Sequence, residues 1–310
     1  MKQTTNTILM IRPVNFRMNE QTAVNNYFQE DINIKNAEIN TKAQEEFDAF
    51  VEKLRAVGVT VIVENDDISV DTPDSIFPNN WVSFHQNGDV AMYPMFAENR
   101  RKERREAIFV RLEKEGYKIN NITDYTSAEE EGVFLEGTGS LLLDRANSIA
   151  YCALSPRADE DLFIEFCEDF EYTPVVFTAN QTVEDKRLPI YHTNVMMCLA
   201  ETFAVICLDT IDDKKERKNV LSHLKDTGKK VITITEQQMN QFAGNMLQLK
   251  GKDEVLYLVM SQAAHDSLTP AQKADIEAHC PILSSSLETI ETCGGGSARC
   301  MMAEVFLPKA

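Results

Sequence analysis

Apolar positions along this chain alternate in short runs, and the runs come in pairs. "WVSFHQNGDVAMYPM", from Trp81, sets two such runs on either side of Asn87-Gly88, which is the pattern of a hairpin. The same strand, turn, strand arrangement returns in "GSLLLDRANSIAYCALS" from Gly139, "NVMMCLAETFAVICLD" from Asn194, "NMLQLKGKDEVLYLVMS" from Asn245 and "ARCMMAEVFLP" from Ala298. The starts lie 58, 55, 51 and 53 residues apart, a period that points to a repeated structural unit.

The first four hairpins are each followed by a helical stretch, expected over roughly residues 97–116, 159–170, 211–226 and 270–279. The last of these, "LTPAQKADIEAH", opens with the Thr-Pro pair of a capped first turn. A further strand precedes each new hairpin, as in "VTVIVE" and "KKVITIT". The fifth hairpin lacks a helix. At the other end, the strand "TILMIRPV" and the helix "NTKAQEEFDAFVEKLRAVG" have no hairpin of their own. The pattern therefore predicts an α/β fold of five ββαβ modules with pseudo-fivefold symmetry, a five-bladed α/β propeller. The N-terminal elements would complete its C-terminal module, leaving no free edge in a single domain over residues 1–310. Length alone would suggest two successive α/β domains of about 150 residues each, and the regular spacing disfavours that division.

Composition narrows the function. Lys and Arg number 31 against 49 Asp and Glu, a formal charge of −18 that opposes contact with nucleic acid or anionic lipid. No segment is long and apolar enough for a membrane helix, and the N-terminal apolar run is too short for a signal-peptide core. A cytoplasmic protein is expected. Seven scattered cysteines without a C-x-x-C pair indicate neither a disulfide framework nor a zinc cage. The basic run "RRKERREAIFVRLEKEG" spaces Ile108, Val110 and Leu112 among charges and is expected to be a solvated amphipathic helix.

In a ring of such modules the residues just ahead of each hairpin meet at the axis. Those junctions are Asp74 to Asn80, Glu136-Gly137-Thr138-Gly139, His192-Thr193-Asn194, Gly244-Asn245, and Gly294-Gly295-Gly296 leading to Cys300. Taken singly, a cysteine is a small buried hydrophobe and a histidine a structural residue. Brought together, Cys300, His192 and Glu136 form a thiol, a proton carrier and an orienting acid. A bound substrate, or Arg299 or a protonated His192 as a positive neighbour, would favour the thiolate, and Glu136 would hold either a substrate nitrogen or the imidazole.

Through "DSIFPNN", "LEGTGS", "YHTN" and above all "GGGSARCM", the chain resembles the pentein superfamily of guanidine-modifying enzymes, and with "MIRPVNFRMNEQT" it looks most like its citrulline-hydrolysing branch. The resemblance implies Cys300 as nucleophile, His192 as general acid and base, Glu136 as the substrate-orienting carboxylate and Asp74 as a further substrate contact. It also implies that Arg157, in "LSPRAD", meets the carboxylate of an amino-acid substrate, with Arg12 of "IRPVNF" as second candidate, and that neither metal nor organic cofactor takes part.

Two positions depart from the family pattern. Asn80 and Asn194 stand where arginine-directed relatives carry aspartates. A charged hydrogen bond contributes about 1.5–3 kcal/mol, so losing two would cripple binding of a guanidinium. An amide both donates and accepts, which suits a neutral ureido group such as that of citrulline. Asn80 and Asn194 are accordingly expected to bind that group. An arginine or agmatine deiminase, a dimethylarginine-type hydrolase, an amidinotransferase and a non-catalytic binding protein on the same scaffold are the competing readings. Trp81 would wall the pocket or fill the core, His85 and His265 are structural, and the polar stretch from Asn15 to Asn36 is a candidate cover. A homo-oligomer is compatible with all of this.

Overall fold

Five three-stranded sheets share one strand order in this structure, a computed structural model that describes residues 1–32 and 35–309. Asn33 and Ile34 of the expected cover, and Ala310 at the end of the expected domain, lie outside the described residues. In every sheet an antiparallel pair is joined by a third strand that runs parallel to the second after a helical crossover. Val82–Phe84, Asp89–Met92 and Asn121–Asp124 form one such sheet; Leu141–Asp144, Ile149–Leu154 and Thr173–Thr178 form the next. Met197–Leu199, Phe203–Ile206 and Lys230–Thr233 follow, then Leu247–Lys250, Leu256–Ser261 and Ile282–Ser285.

The fifth sheet joins the two ends of the chain. Ala303–Glu304 pairs antiparallel with Thr7–Arg12, which pairs parallel with Thr60–Asn65 across the helix Asn36–Ala56. The N-terminal elements thus complete the C-terminal module, as the sequence pattern implies. "ARCMMAEVFLP", in contrast, is not a hairpin of its own. Residues 298–301 form a turn after the helix Glu288–Gly294, and only Ala303–Glu304 is strand, because Thr7–Arg12 is the partner the expected second strand would have been. Cys300 therefore sits in that turn and not on a strand, with its N–H donating to Ser297 O at 3.0 Å.

The strands are short and buried on both faces where helices cover one side and the next sheet covers the other, so Leu141–Asp144 and Phe203–Ile206 are buried throughout. Three of the five crossover helices start on side-chain caps. Asp159 accepts from Leu162 N ahead of Glu160–Asp169, Asp213 from Lys215 N and Glu216 N ahead of Lys214–Asp226, and Thr269 forms a capping box with Gln272 at Pro270–Glu277. The expected helix over 97–116 is broken. A 3-10 stretch, Glu98–Glu103, gives way at extended Arg104 and Arg105 to the helix Glu106–Lys114, because Arg100 and Glu103 turn inward instead of facing solvent. A hairpin that the sequence pattern did not announce, Asn180–Val183 with Lys186–Pro189, turns on left-handed Glu184 and Asp185. Trp81 packs in the core against Phe109.

The segments leading into the sheets touch one another in turn. Pro78–Asn80 packs on Gly137–Ser140, which packs on Thr193–Met196. Asn245 Nδ2 donates to Asn194 O at 3.0 Å, and Arg299 N donates to Asn245 Oδ1 at 3.0 Å. Ala303–Glu304 packs back on Pro78–Asn80. Residues far apart in sequence are brought to one place by these contacts.

Candidate active site

A small cavity, with a volume of about 10 Å³, lies where those segments meet, lined by Asn26, Asp74, Phe77, Asn80, Arg100, Arg157, Tyr191, His192, Gly294, Gly296 and Cys300. Cys300 is 3% exposed, and its sulfur receives Asn245 Nδ2 at 3.3 Å and Asn194 Nδ2 at 3.5 Å. Cys300 belongs to the same buried apolar cluster as Met301, Met302 and Ala298. The other six thiols are buried as well, and burial pushes each of them up, Cys207 and Cys293 to about 11, Cys167 and Cys198 to about 12.

His192 leads into the turn Thr193–Met196, and its Nε2 stands 2.7 Å from Glu136 Oε2. Burial drives the imidazole down to about 4; the Glu136 contact opposes this only in part, and the charges of Arg157 and Arg100 push the same way as burial. His192 is therefore neutral near pH 7, with Nε2–H donating to the carboxylate and Nδ1 left as an acceptor. A protonated His192 as the partner of a resting thiolate, one of the two positive neighbours expected, does not hold. The other fails too, because the Arg299 guanidinium donates to Met302 O at 2.8 Å and to Glu304 Oε2 at 3.0 Å.

Glu136 is fully buried and saturated. Its Oε1 accepts from Phe96 N at 3.0 Å, and its Oε2 faces His192 and, at 3.5 Å, Arg157. Burial alone would raise this carboxyl, but Arg157, the His192 hydrogen bond and Arg100 outweigh it and hold it well below the usual range. It stands behind the imidazole and is not among the cavity-lining residues, so of its two expected roles the geometry matches the one on the imidazole. Glycines allow this crowding. A Cβ at Gly139 would lie 2.8 Å from His192 Nδ1 and 2.4 Å from Asn80 Nδ2.

Among the described residues, Asp74 is the one cavity-lining carboxylate. Its Oδ2 accepts from Asn19 Nδ2 at 2.8 Å and Thr22 Oγ1 at 3.1 Å, while the buried Oδ1 has no hydrogen-bond partner among the described residues. Burial pushes its carboxyl up against the opposing pull of Arg100. Asn80 lines the cavity, as expected, but its Oδ1 is already held at 2.8 Å by Arg100 Nη1. Asn194 corrects the expectation that it would bind substrate: its amide donates to Cys300 and is not among the lining groups. Arg12 is also corrected. It forms an exposed ion pair with Asp48 of the helix Asn36–Ala56, 2.8 Å away, and takes no part in the cavity.

Arg157 does line the cavity. Its guanidinium lies 4.9 Å from the Tyr191 ring centre, donates to Thr22 O at 2.9 Å and is clasped by Asn25 Oδ1. Those partners belong to the expected cover. Asn26 Nδ2 and Gln29 Nε2 reach Gly294 O at 3.4 and 3.0 Å, and Glu30 N donates to Thr292 O at 2.7 Å, so the described part of that segment closes the cavity. The glycine triplet gives room chiefly to other side chains: Cβ atoms at Gly294 and Gly296 would fall 2.9 and 2.8 Å from Phe77 Cζ, and left-handed Gly295 fits under Asn26.

Two site residues escaped the sequence pattern. Asn245 stood at a named junction without a role, and its position ahead of a hairpin was the available signal. Arg100 was hidden in a run of charges. It is 2% exposed, forms a bidentate pair with Glu103 at 2.8 and 3.0 Å, and lies 3.9 Å from both Asp74 Oδ2 and Glu136 Oε2. Among the described residues no group of three or more His, Cys, Asp or Glu is placed to hold a metal, and no helix is long and apolar enough to cross a membrane.

Solved structures share this fold at low sequence identity. An apo arginine dihydrolase of the ornithine-ammonia cycle in cyanobacteria, ArgZ, superposes with a TM-score of 0.73 at 17% identity over 98% of this chain and 41% of its own. Unliganded AgrE gives 0.72 at 18% identity over 98% and 40%. The chain thus spans about two-fifths of the length of these relatives. A dimethylarginine dimethylaminohydrolase variant carrying an S-methyl-L-thiocitrulline adduct gives 0.62 at 14% identity over 96% and 98%. No curated protein sequence matches the chain. The profile of the family described as N,N dimethylarginine dimethylhydrolase, eukaryotic, matches residues 12–307, so the chain belongs to that family and, with it, to the pentein superfamily.

Proposed function

We propose that the chain hydrolyses a ureido C–N bond, with citrulline as substrate and ornithine, ammonia and carbon dioxide as products. One observation carries this reading: Cys300 and His192 line one buried cavity with Asn80, an amide already engaged by a fixed cation, in place of a second carboxylate for a cationic head group. The five like sheets support a five-bladed α/β propeller acting as one catalytic domain over residues 1–310, and seven free thiols suit the cytoplasm.

The chemistry follows from the donors in place. His192 Nδ1 takes the Cys300 proton as the sulfur attacks the ureido carbon, forming a C–S bond and a tetrahedral adduct. The same proton passes to one ureido nitrogen, which leaves as an amine and leaves a thiocarbamate or carbamoyl adduct on sulfur. Water then loses a proton to Nδ1, adds to that carbon and expels the thiol. The resulting carbamate loses carbon dioxide, so one water and one citrulline give ornithine, ammonia and carbon dioxide. Glu136 keeps the imidazole in its Nε2–H tautomer throughout. Asp74 Oδ1 accepts a ureido N–H, and Arg157, released from Asn25, meets the amino-acid carboxylate.

A second reading, hydrolysis of arginine or a methylated arginine, is favoured by the family match and by ArgZ, an arginine dihydrolase. Supplying citrulline, arginine and dimethylarginine separately and quantifying ornithine, citrulline, ammonia and methylamines distinguishes the two. Ornithine and ammonia from citrulline support the first; turnover of a guanidine alone overturns it.

A further inference from the structure

The turn that carries Cys300 follows three residues with no side chain. Gly294 to Gly296 leave the backbone its widest freedom, and Ser297 is the first residue after them that a side-chain contact can hold. Ser297 is fully buried, and its Oγ donates to Glu291 Oε1 at 2.5 Å. Its carbonyl receives Cys300 N at 3.0 Å, so the residue that closes the turn on the sulfur-bearing residue is the one that Glu291 grips.

Glu291 is itself fixed. It sits in the helix Glu288–Gly294, whose Thr289 N and Ile290 N donate to Glu46 Oε1 and Oε2 at 2.8 and 3.0 Å, and Glu46 belongs to the helix Asn36–Ala56. Glu291 is 6% exposed and lines a separate cavity with Tyr27, Phe28 and Phe242, not the one that Cys300 lines. The remaining ties on the triplet stop short of Ser297: Asn26 and Gln29 reach Gly294 and Gly295 from the cover, and Tyr191 donates to Gly295 O at 2.5 Å. The far end of the turn is held by Asn245 Oδ1, which accepts from Arg299 N at 3.0 Å.

We infer that Glu291 is a positioning residue for the nucleophile, holding the near end of the turn 297–300 through Ser297 whether the cover is open or closed. The role rests on Cys300 as nucleophile, and on no particular substrate. Without this tie the turn hinges on the glycines, and the sulfur leaves the Asn245 and Asn194 donors that stand 3.3 and 3.5 Å from it.

The test reads the sulfur directly. Labelling of Cys300 by iodoacetamide, followed by peptide mapping, is compared without substrate in the native protein, Ser297→Ala, Glu291→Gln, and Ser297→Ala combined with Glu291→Leu. The combined replacement removes donor and acceptor together, which leaves neither unpaired and spares the fold, as thermal melting reports. Both Ser297 variants are expected to slow labelling by about 10-fold, and to lower kcat by about 10- to 100-fold with KM within about 2-fold, on whichever of citrulline, arginine and dimethylarginine is turned over. Glu291→Gln keeps an acceptor for Ser297 Oγ and is expected to stay within about 3-fold of the native labelling rate. Unchanged labelling in both Ser297 variants overturns the role of Glu291, leaving its bond to Ser297 a tie for stability alone. A glutamine variant as slow as the combined replacement overturns it as well. Uniform labelling of the seven thiols in the native protein overturns Cys300 as nucleophile, and the reading above with it.

Discussion

His192 Nε2 meets Glu136 Oε2 at 2.7 Å inside a fully buried pair; the contact fixes the tautomer of the imidazole, and the burial of the pair makes the protein sensitive to acid. Burial holds His192 at about 4, below its ordinary 6.5, and Glu136 also lies below its ordinary 4.5. Both groups bind protons more readily in the unfolded chain, so stability rises with pH across these windows and falls on acidification, first through His192 between 6.5 and about 4 and then through Glu136. Buried Glu103 and Glu291, both pushed up to about 7, change in the opposite direction over the same range, so the His192 share is read as a difference: from pH 8 to pH 5 the protein is expected to lose on the order of 2 kcal/mol relative to His192→Gln in paired denaturant titrations. The same pH dependence in both proteins would assign no part of it to His192.

Glu291 has the opposite sign. Burial pushes its carboxyl up to about 7, with the bond from Ser297 Oγ at 2.5 Å only partly opposing. Its contribution is complete below the ordinary 4.5 and is lost as pH rises through about 7. Glu291→Gln, which keeps an acceptor for Ser297 and cannot ionise, should raise the melting temperature at pH 8.5 and change it little at pH 5. The comparison is made by calorimetric scans of both proteins.

The Cys300 sulfur is distinguished by two amide donors from separate modules, Asn245 and Asn194. Iodoacetamide at neutral pH, followed by peptide mapping, is expected to label Cys300 ahead of the six thiols that burial pushes up. Asn245→Leu removes one donor and the support of Arg299 N, and should slow labelling of Cys300 by about 10-fold. Uniform labelling of the seven thiols speaks against an activated Cys300.

Much of this arrangement was legible because the five-module period is a property of local alternation, and convergence of Cys300, His192 and Glu136 follows once the modules stand in sequence around a common centre. What was hidden has a common cause. Arg12 ends a strand beside a helix, and nothing in "IRPVNF" announces that Asp48 of that helix captures it. Arg100 sits in a run of charges that reads as solvated, and only the break at Arg104 and Arg105 turns it inward. Asn194 occupies a site position, but its side-chain amide faces the Cys300 sulfur, 106 residues away. Side-chain direction at a junction is set by tertiary partners, and no periodicity encodes it.

Polar contacts from Asn26 and Gln29 to Gly294 and Gly295 tie the cover to the glycine triplet. A substrate reaches the buried cavity only if these release, and they are replaceable by water. Amides of residues 19–29 are expected to exchange faster without citrulline than with it, and Gln29→Ala should speed exchange in the free protein while leaving the helix Asn36–Ala56 protected. Equal protection with and without ligand would show that the segment is a fixed wall.

Gly296 tests the tightest packing at the site. A Cβ there would lie 2.8 Å from Phe77 Cζ and 2.9 Å from Cε1, well inside contact distance, and Phe77 is a buried ring wedged beneath the loop that carries Cys300. Gly296→Ala must shift either the ring or the turn, and overpacking of this kind costs about 1–3 kcal/mol. Because the turn holds the sulfur between Asn194 and Asn245, a shift there should reduce kcat more than it raises KM. Phe77→Leu in the same protein removes the ring atoms that clash. It should recover part of both stability and kcat, measured by denaturant unfolding and steady-state turnover. If the second change restores stability but not turnover, the glycine serves the substrate directly, and the close approach to Phe77 is only its structural background.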